Sequence, residues 1–189
     1  MRKLIYAINT TLDGCVDHTK FFPDEETMVY VLQLIRDADT FLYGRKTYQL
    51  MVPYWPDVAK SPASDDREED IEFAKAFDAV GKIVVFSQSL DSAGGEKTRI
   101  VRSGLEDEVL KLKQQPGKNI LTGGVNLASQ LAELGLIDEY HFLVHPIVVG
   151  EGTRLFEGIS LRERLKLKLV ESAVFKSGTV ALRYLPLRH

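Results

Sequence analysis

Two segments constrain this chain more than any others: Thr40-Phe41-Leu42-Tyr43-Gly44-Arg45-Lys46-Thr47-Tyr48 and Asn119-Ile120-Leu121-Thr122-Gly123-Gly124-Val125-Asn126-Leu127. In each, a short β-prone apolar run meets glycine where a helix should begin. The first helical N–H groups then lack intrahelical partners and lie at the positive end of the helix dipole. Such a corner suits phosphate. Gly44 is followed by a guanidinium, an ammonium and a hydroxyl, while Gly123-Gly124 lets an anion approach the main chain closely. Neither segment carries the usual three-glycine fingerprint or a Gly-Lys-Ser/Thr loop, and glycine between strand and helix is also ordinary turn chemistry. Together they point to a phosphate-rich dinucleotide lying across a sheet.

The 189 residues suffice for one domain, residues 1–189, that removes roughly 70% of its extended-chain surface from water. A net charge of -3 argues against a nucleic-acid or anionic-membrane surface, which would need clustered Lys and Arg. Cys15 is the only cysteine, so neither an internal disulfide nor a thiolate zinc cage can form, as fits a reducing compartment. No apolar run approaches a membrane span, and the N-terminus enters a strand pattern directly. The expectation is a soluble cytoplasmic protein that takes a small-molecule substrate.

The patterns alternate. Lys3 to Asn9 reads as a strand ending at Leu12-Asp13-Gly14. A helix begins after Pro23 with Asp24, Glu25 and Glu26 in its first turn, and carries Met28, Val31, Leu32 and Ile35 on one face. Thr40 to Tyr43 is the second strand; the helix after Gly44 is expected to end before Pro53, and Val52 to Glu68, with Trp55, to form a long surface loop. A helix carrying Ile71, Ala74 and Phe77, the strand Lys82 to Ser87, a short strand at Thr98 to Arg102, a helix from Leu105 to Gln115 and the strand ending at Thr122 continue an α/β order. The helix after Gly124 stops at Gly135. Tyr140 to Val149, Leu165 to Lys176 and Thr179 to Leu185 follow as strands, the last two joined tightly at Ser177-Gly178, adding antiparallel strands to a mostly parallel sheet.

Isolated side chains say less. His141 and His145 would share one strand face about 13 Å apart, too far to bind one metal unaided. His18 reads as a solvated loop residue, and Arg162, Arg164, Lys166 and Lys168 as the wet face of an alternating strand. Asp24, Glu25 and Glu26 suit a helix dipole as well as they suit a heterocyclic substrate. Asp13 ends the loop after the first strand, where open α/β sheets bind ligands, although an Asp-Gly turn is an equal reading. Trp55 either walls an aromatic ligand or pins its segment to the core.

The ordered set Leu12-Asp13-Gly14, Gly44-Arg45-Lys46-Thr47-Tyr48, Val85-Phe86-Ser87-Gln88-Ser89, Thr122-Gly123-Gly124, Gly135-Leu136-Ile137-Asp138-Glu139 and His145-Pro146-Ile147-Val148-Val149-Gly150-Glu151-Gly152 resembles the dihydrofolate reductase-like superfamily. Within it the chain is most similar to the reductase domain of the bifunctional deaminase-reductase of riboflavin biosynthesis and its stand-alone relatives. The resemblance spans nearly the whole chain. It implies a three-layer α/β/α fold with a mixed, mostly parallel eight-stranded sheet and a C-terminal antiparallel hairpin, and it implies NADP(H). By the family's pattern Arg45, Lys46, Ser87 and Ser89 lie near the adenosine 2′-phosphate, while Thr47 and the turn at Gly123, Gly124, Val125 and Asn126 hold the diphosphate; Gly44 and Thr122 complete the cofactor-binding set. A homodimer formed through the C-terminal strands is implied too; because those strands are long and apolar and an exposed edge is usually covered, the expected interface is Tyr140 to Val149 and its neighbours. Deamination is excluded, because its zinc site needs two cysteines.

The expected activity is NADPH-dependent hydride transfer to a polarised C=N or C=O bond in a small heterocyclic or open-chain sugar substrate. Asp13 and Glu25 are the candidate acids, and Asn9 and Trp55 the candidate orienting and wall residues. Two alternatives stay open: a dihydrofolate or pterin reductase, and an NADP-binding module without efficient catalysis.

Overall fold

A computed structural model describes residues 1–161 and 163–187. Strand β1 (Leu4–Thr11) sorts its side chains by parity, sending Leu4 and Tyr6 into one apolar cluster and Ile5 into the other. The same alternation holds in β2 (Ala38–Gly44), where Leu42 opposes Phe41 and Tyr43, and in β3 (Lys82–Phe86), where Val84 opposes Ile83 and Val85. A strand buried on both faces needs cover on both, and helices supply it. α1 (Glu25–Arg36), α2 (Arg45–Lys60) and α3 (Glu68–Asp78) pack on one face; α4 (Leu105–Gln114) and α5 (Asn126–Glu133) pack on the other.

With β4 (Thr98–Val101), β5 (Asn119–Thr122), β6 (Glu139–His145), β7 (Leu167–Val174) and β8 (Val180–Pro186), the sheet runs β4-β3-β2-β5-β1-β6-β8-β7. β4 through β6 are parallel, and β8 is antiparallel to both of its neighbours. The chain steps one way from β1 to β4 and back from β4 to β6, so right-handed crossovers place the two helix sets on opposite faces. The expected three-layer α/β/α fold and eight strands are present.

Local chemistry explains the helix ends. Asp24 caps α1 by accepting from the Thr27 N–H at 2.7 Å. α5 ends in a Schellman turn at Gly135 (φ 65°), with the Leu136 N–H bonded to Leu131 O and the Gly135 N–H to Ala132 O.

Three expectations need correction. α2 runs through Pro53 and Pro56 to Lys60, so Val52 to Lys60 is helix and only 61–67 connects it to α3. An interior proline costs about 3 kcal/mol, and packing offsets it: Trp55 of α2 lies 4.4 Å, centroid to centroid, from Phe73 of α3. The β7–β8 connection is a three-residue loop, Lys176 to Gly178, with Gly178 at φ 86° and the Phe175 N–H bonded to Thr179 O at 2.9 Å. β6 is interior, between β1 and β8, and the sheet edge is β7 instead. His18 falls in a single 3₁₀ turn, His18–Lys20. Of the basic run, Arg164, Lys166 and Lys168 are exposed, and Arg162 lies outside the described residues.

Candidate functional site

β5 is shorter than its neighbours at the C-terminal edge of the sheet. It stops at Thr122, opposite Tyr6 of β1 and Leu42 of β2, while β1 continues to Thr11 and β2 to Gly44. The result is a notch one strand wide, floored by Gly123-Gly124 and walled by Ala7 and Asn9 on one side and Gly44 on the other. Open α/β sheets bind ligands at such a place.

The two glycine junctions meet there. α2 starts at Arg45 directly after Gly44, and no side chain caps it; α5 starts at Asn126 and is also uncapped by a side chain. Gly124 adopts φ 81°, and a Cβ on it would collide with the Thr47 hydroxyl of α2. Tyr6 fixes the turn by donating its phenol to Gly124 O at 2.9 Å. A Cβ on Gly44 would sit 3.5 Å from Leu127 of α5, so the two helix starts converge. Arg45 and Lys46 are exposed, and neither pairs with a carboxylate among the described residues; Arg45 only touches Gln49, at 3.4 Å.

Along the rim toward β4, Ser87 follows β3 and accepts from the Ser89 and Leu90 N–H groups at 3.2 and 3.0 Å, leaving its own proton to donate. Arg102, just past β4, holds this loop by donating to Gln88 O at 3.2 Å and Leu90 O at 3.0 Å. Phe86, Ser87, Arg102, Ser103 and Gln130 line a groove of about 330 Å³ here. Arg102 is absent from the residues expected at the site; the signal that marks it is the short strand expected to end there, since the end of a parallel strand is a ligand-facing position. A larger groove of about 480 Å³ opens on the α4/α5 side, but its lining, including Phe142, Leu155, Leu165 and Leu182, has no charged side chain. Phosphate has no reason to go there.

The candidate acids fare differently from the glycine corner. Asp13 accepts from the Thr11 hydroxyl at 2.6 Å, the Val149 N–H at 3.2 Å and the Gly150 N–H at 2.8 Å, and pairs with Arg154 at 2.7 Å. Arg154 also donates to Asp13 O. The Thr11 hydrogen bond first, then Arg154 and the Gly150 N–H, hold this carboxyl far below the usual carboxylate range. It clamps the loop after β1 to the loop after β6, and a group held ionised in this way is unsuited to donating a proton. Glu25 is exposed at the first position of α1, where the helix dipole accounts for it. Trp55 packs against α3, which fits the pinning role. Thr122 is buried, with its hydroxyl given to Leu42 O at 2.6 Å, and so bridges β5 to β2. Val125 and Asn126 stand at the start of α5, Asn126 exposed.

Asn9 meets one of the two histidines of β6 at the rim, and the other lies buried lower in that strand. His145 donates through Nε2 to Asn9 Oδ1 at 2.9 Å, and its Nδ1 faces the Thr179 hydroxyl at 3.3 Å. His141 pairs with Glu139 at 2.9 Å and with the Tyr30 phenol at 2.6 Å, an arrangement that ties β6 to α1. The His141 hydrogen bond first, against the cost of burial, and then Arg183 and Lys3, bring Glu139 down to about 2. The histidines have separate partners, and no group of three or more potential metal ligands occurs among the described residues. No helix of the described residues is long and apolar enough to cross a membrane.

Comparison with known proteins agrees with this architecture. Protein YyaP of Bacillus subtilis (strain 168), itself uncharacterized, is 33% identical over 187 residues, covering 97% of this chain and 94% of its own length. A putative riboflavin biosynthesis protein from Shewanella sp. PV-4 superposes with a TM-score of 0.70 at 21% identity, over 98% of this chain and 99% of its own. A pyrimidine reductase-like protein from Corynebacterium diphtheriae gives 0.71 at 15% identity, over 100% and 93%. The deaminase/reductase of Thermotoga maritima gives 0.67 at 17% identity, over 98% of this chain but 57% of that longer one. The model of the RibD C-terminal domain matches residues 2–181, and the chain belongs to that family.

Proposed function

We propose that this protein is an NADPH-dependent reductase of a small heterocyclic or sugar-linked substrate, similar in reaction to 5-amino-6-(5-phosphoribosylamino)uracil reduction. The observation that carries the reading is the β2/β5 corner. Two side-chain-uncapped helix starts converge across Gly44 and Gly124, beside cations that no carboxylate among the described residues neutralises. That donor set fits a dinucleotide phosphate. A Cβ at Gly124 would intrude on the main-chain cradle, where the Thr47 hydroxyl lies, and Arg45, Lys46 and Ser87 offer a guanidinium, an ammonium and a hydroxyl to a phosphate monoester. Arg102 adds a second guanidinium beside Ser87.

When bound, the nicotinamide supplies hydride; the protein orients, desolvates and selects. Gly123 and Gly124 hold the main chain open at the floor of the notch, and Asn9 stands on its wall. With Asp13 bound into its clamp and Glu25 in solvent, we take the proton to come from water at the mouth of the notch. The dihydrofolate alternative requires a first-helix carboxylate at the notch, and Asp24 is instead spent on capping α1. The reading also includes a homodimer: β7 is an unpaired edge with Leu169, Val170 and Val174 exposed, and such edges are commonly paired or covered.

A screen of NADPH oxidation against aminouracil ribosyl phosphates, dihydrofolate and pterins tests the function. Turnover with an aminouracil supports it. Turnover with dihydrofolate alone would transfer the protein to the alternative reading, and tight NADPH binding without turnover on any of them would make it a binding module.

A further inference from the structure

Asn9 is a half-buried amide at the rim of the notch, and only one of its two ends is accounted for. Asn9 pairs with Leu143, and His145 with Thr11, so the two side chains are diagonal neighbours on the same face of the sheet. His145 Nε2 meets Asn9 Oδ1 at 2.9 Å, whereas nothing among the described residues accepts from Asn9 Nδ2. Because the oxygen turns toward β6, the NH₂ turns away from it, toward the side where β5 has already ended.

A buried network sets this polarity. His145 is only 3% exposed and lies under Phe21, with ring centroids 4.7 Å apart and planes 14° apart. Burial lowers its basicity against the opposing pull of Asp24, which keeps the ring neutral, with a single N–H, at neutral pH. The Ser177 hydroxyl hydrogen-bonds the Asp24 carboxylate and meets Thr179 Oγ1 at 3.0 Å, and the Thr179 hydroxyl faces His145 Nδ1 at 3.3 Å. Asn9 Oδ1 can only accept, so the ring proton sits on Nε2 and Nδ1 is left to accept from Thr179. A neutral imidazole with Nε2–H can be bonded only by the oxygen of the asparagine.

We propose that His145 is a positioning residue that locks the Asn9 amide with its NH₂ toward the notch, so that the site selects substrates presenting a hydrogen-bond acceptor, a ring carbonyl or an imine nitrogen, at that wall. This rests on the reductase reading for the notch being the substrate site. A site built to donate discriminates strongly against analogues without the acceptor, since a buried N–H would be left unpaired. Asn9 was expected to orient the substrate; the structure adds which end does so and what enforces it.

The test is nitrogen-15 NMR of the full chain titrated with 5-aminouracil, with and without NADP⁺, together with calorimetry of NADP⁺ binding. A failure of the cofactor reading registers as absent NADP⁺ binding and leaves the Asn9 signals as a separate readout. The expected results are a neutral His145 in the Nε2–H form and Asn9 side-chain NH₂ resonances that shift with 5-aminouracil. His145→Leu should weaken 5-aminouracil about tenfold, the equivalent of one hydrogen bond, with NADP⁺ affinity unchanged. His145→Gln, whose amide can donate from nearly the same place, should recover affinity to within about threefold. An Nδ1–H tautomer overturns the proposal, as do Asn9 resonances that 5-aminouracil leaves unmoved, or a folded His145→Leu that binds 5-aminouracil like the wild type. The tautomer and the Asn9 shift are read on the unmodified protein, so the test survives if His145→Leu does not fold.

Discussion

The two ends of the notch treat their polar groups in opposite ways. On the β1/β6 side, Asp13 uses both carboxylate oxygens on Thr11, Val149, Gly150 and Arg154. On the β2/β5 side, two helix starts have no side-chain cap, and Arg45 and Lys46 have no carboxylate partner among the described residues. One region satisfies itself, and the other has donors to spare among the described residues. Both carry charged residues beside a glycine at the end of a parallel strand. What separates structure from function is therefore whether the donors and acceptors balance within the chain.

The largest expected effect comes from Gly124→Val. The residue sits at φ 81° with the Thr47 hydroxyl against it, and a β-branched side chain there is both strained and crowded. We expect loss of roughly 3 kcal/mol or more of stability, read as a collapse of the thermal midpoint. The sequence alone would have predicted a folded protein that simply fails to bind cofactor; a normal midpoint would restore that view. Gly44→Ala is the cleaner probe, because a Cβ there makes only ordinary contact, 3.5 Å from Leu127, and its backbone angle of -78° suits any residue. The protein should fold normally and bind NADPH about tenfold more weakly. Unchanged affinity would move the diphosphate away from this corner.

Acid should act mainly on the satisfied regions. Glu139, ordinarily near 4.5, is held at about 2, and Asp13 is likewise depressed. A carboxylate with a lowered folded-state pKa stabilises fully above its unfolded value and loses that contribution as pH falls toward the folded one. The thermal midpoint should therefore drop between about pH 4.5 and 2, and Glu139→Gln should be less stable at neutral pH yet flatter across that window. Equal slopes would show that other groups carry the acid response. Asp13→Asn should lower the midpoint without altering NADPH affinity, and a selective loss of binding would return Asp13 to the site. The smallest effect concerns assembly: light scattering should give a dimer mass, and Val174→Lys on the exposed β7 edge should shift it toward monomer. A monomeric wild type would rule out the pairing of β7.

The sequence carried the layer order and both glycine corners, because glycine at a strand end and apolar periodicity are local signals. It misread Val52 to Lys60 because proline is a strong local signal too, whereas the packing of Met51, Val52 and Trp55 on the core, Trp55 against Phe73, is a non-local one that favours helix. Asp13 looked catalytic because its partners Val149, Gly150 and Arg154 lie more than a hundred residues away in the chain. Thr122 belonged to a motif, yet its hydroxyl bridges two strands. Arg102 went unremarked, and His145 was weighed only as a metal ligand, for the same reason: an isolated cation or histidine gains meaning from what the sheet order sets beside it.

The central claim is that the unbalanced corner binds the phosphates of NADP(H), and calorimetric titration of the wild type and Arg45→Ala with NADPH and NADH tests it most directly. We expect the wild type to prefer NADPH strongly, and Arg45→Ala to lose about 1.5 to 3 kcal/mol for NADPH while NADH binding stays nearly unchanged, the range of a charge-assisted contact. Equal losses for the two cofactors, or a wild type that binds them equally, would contradict it.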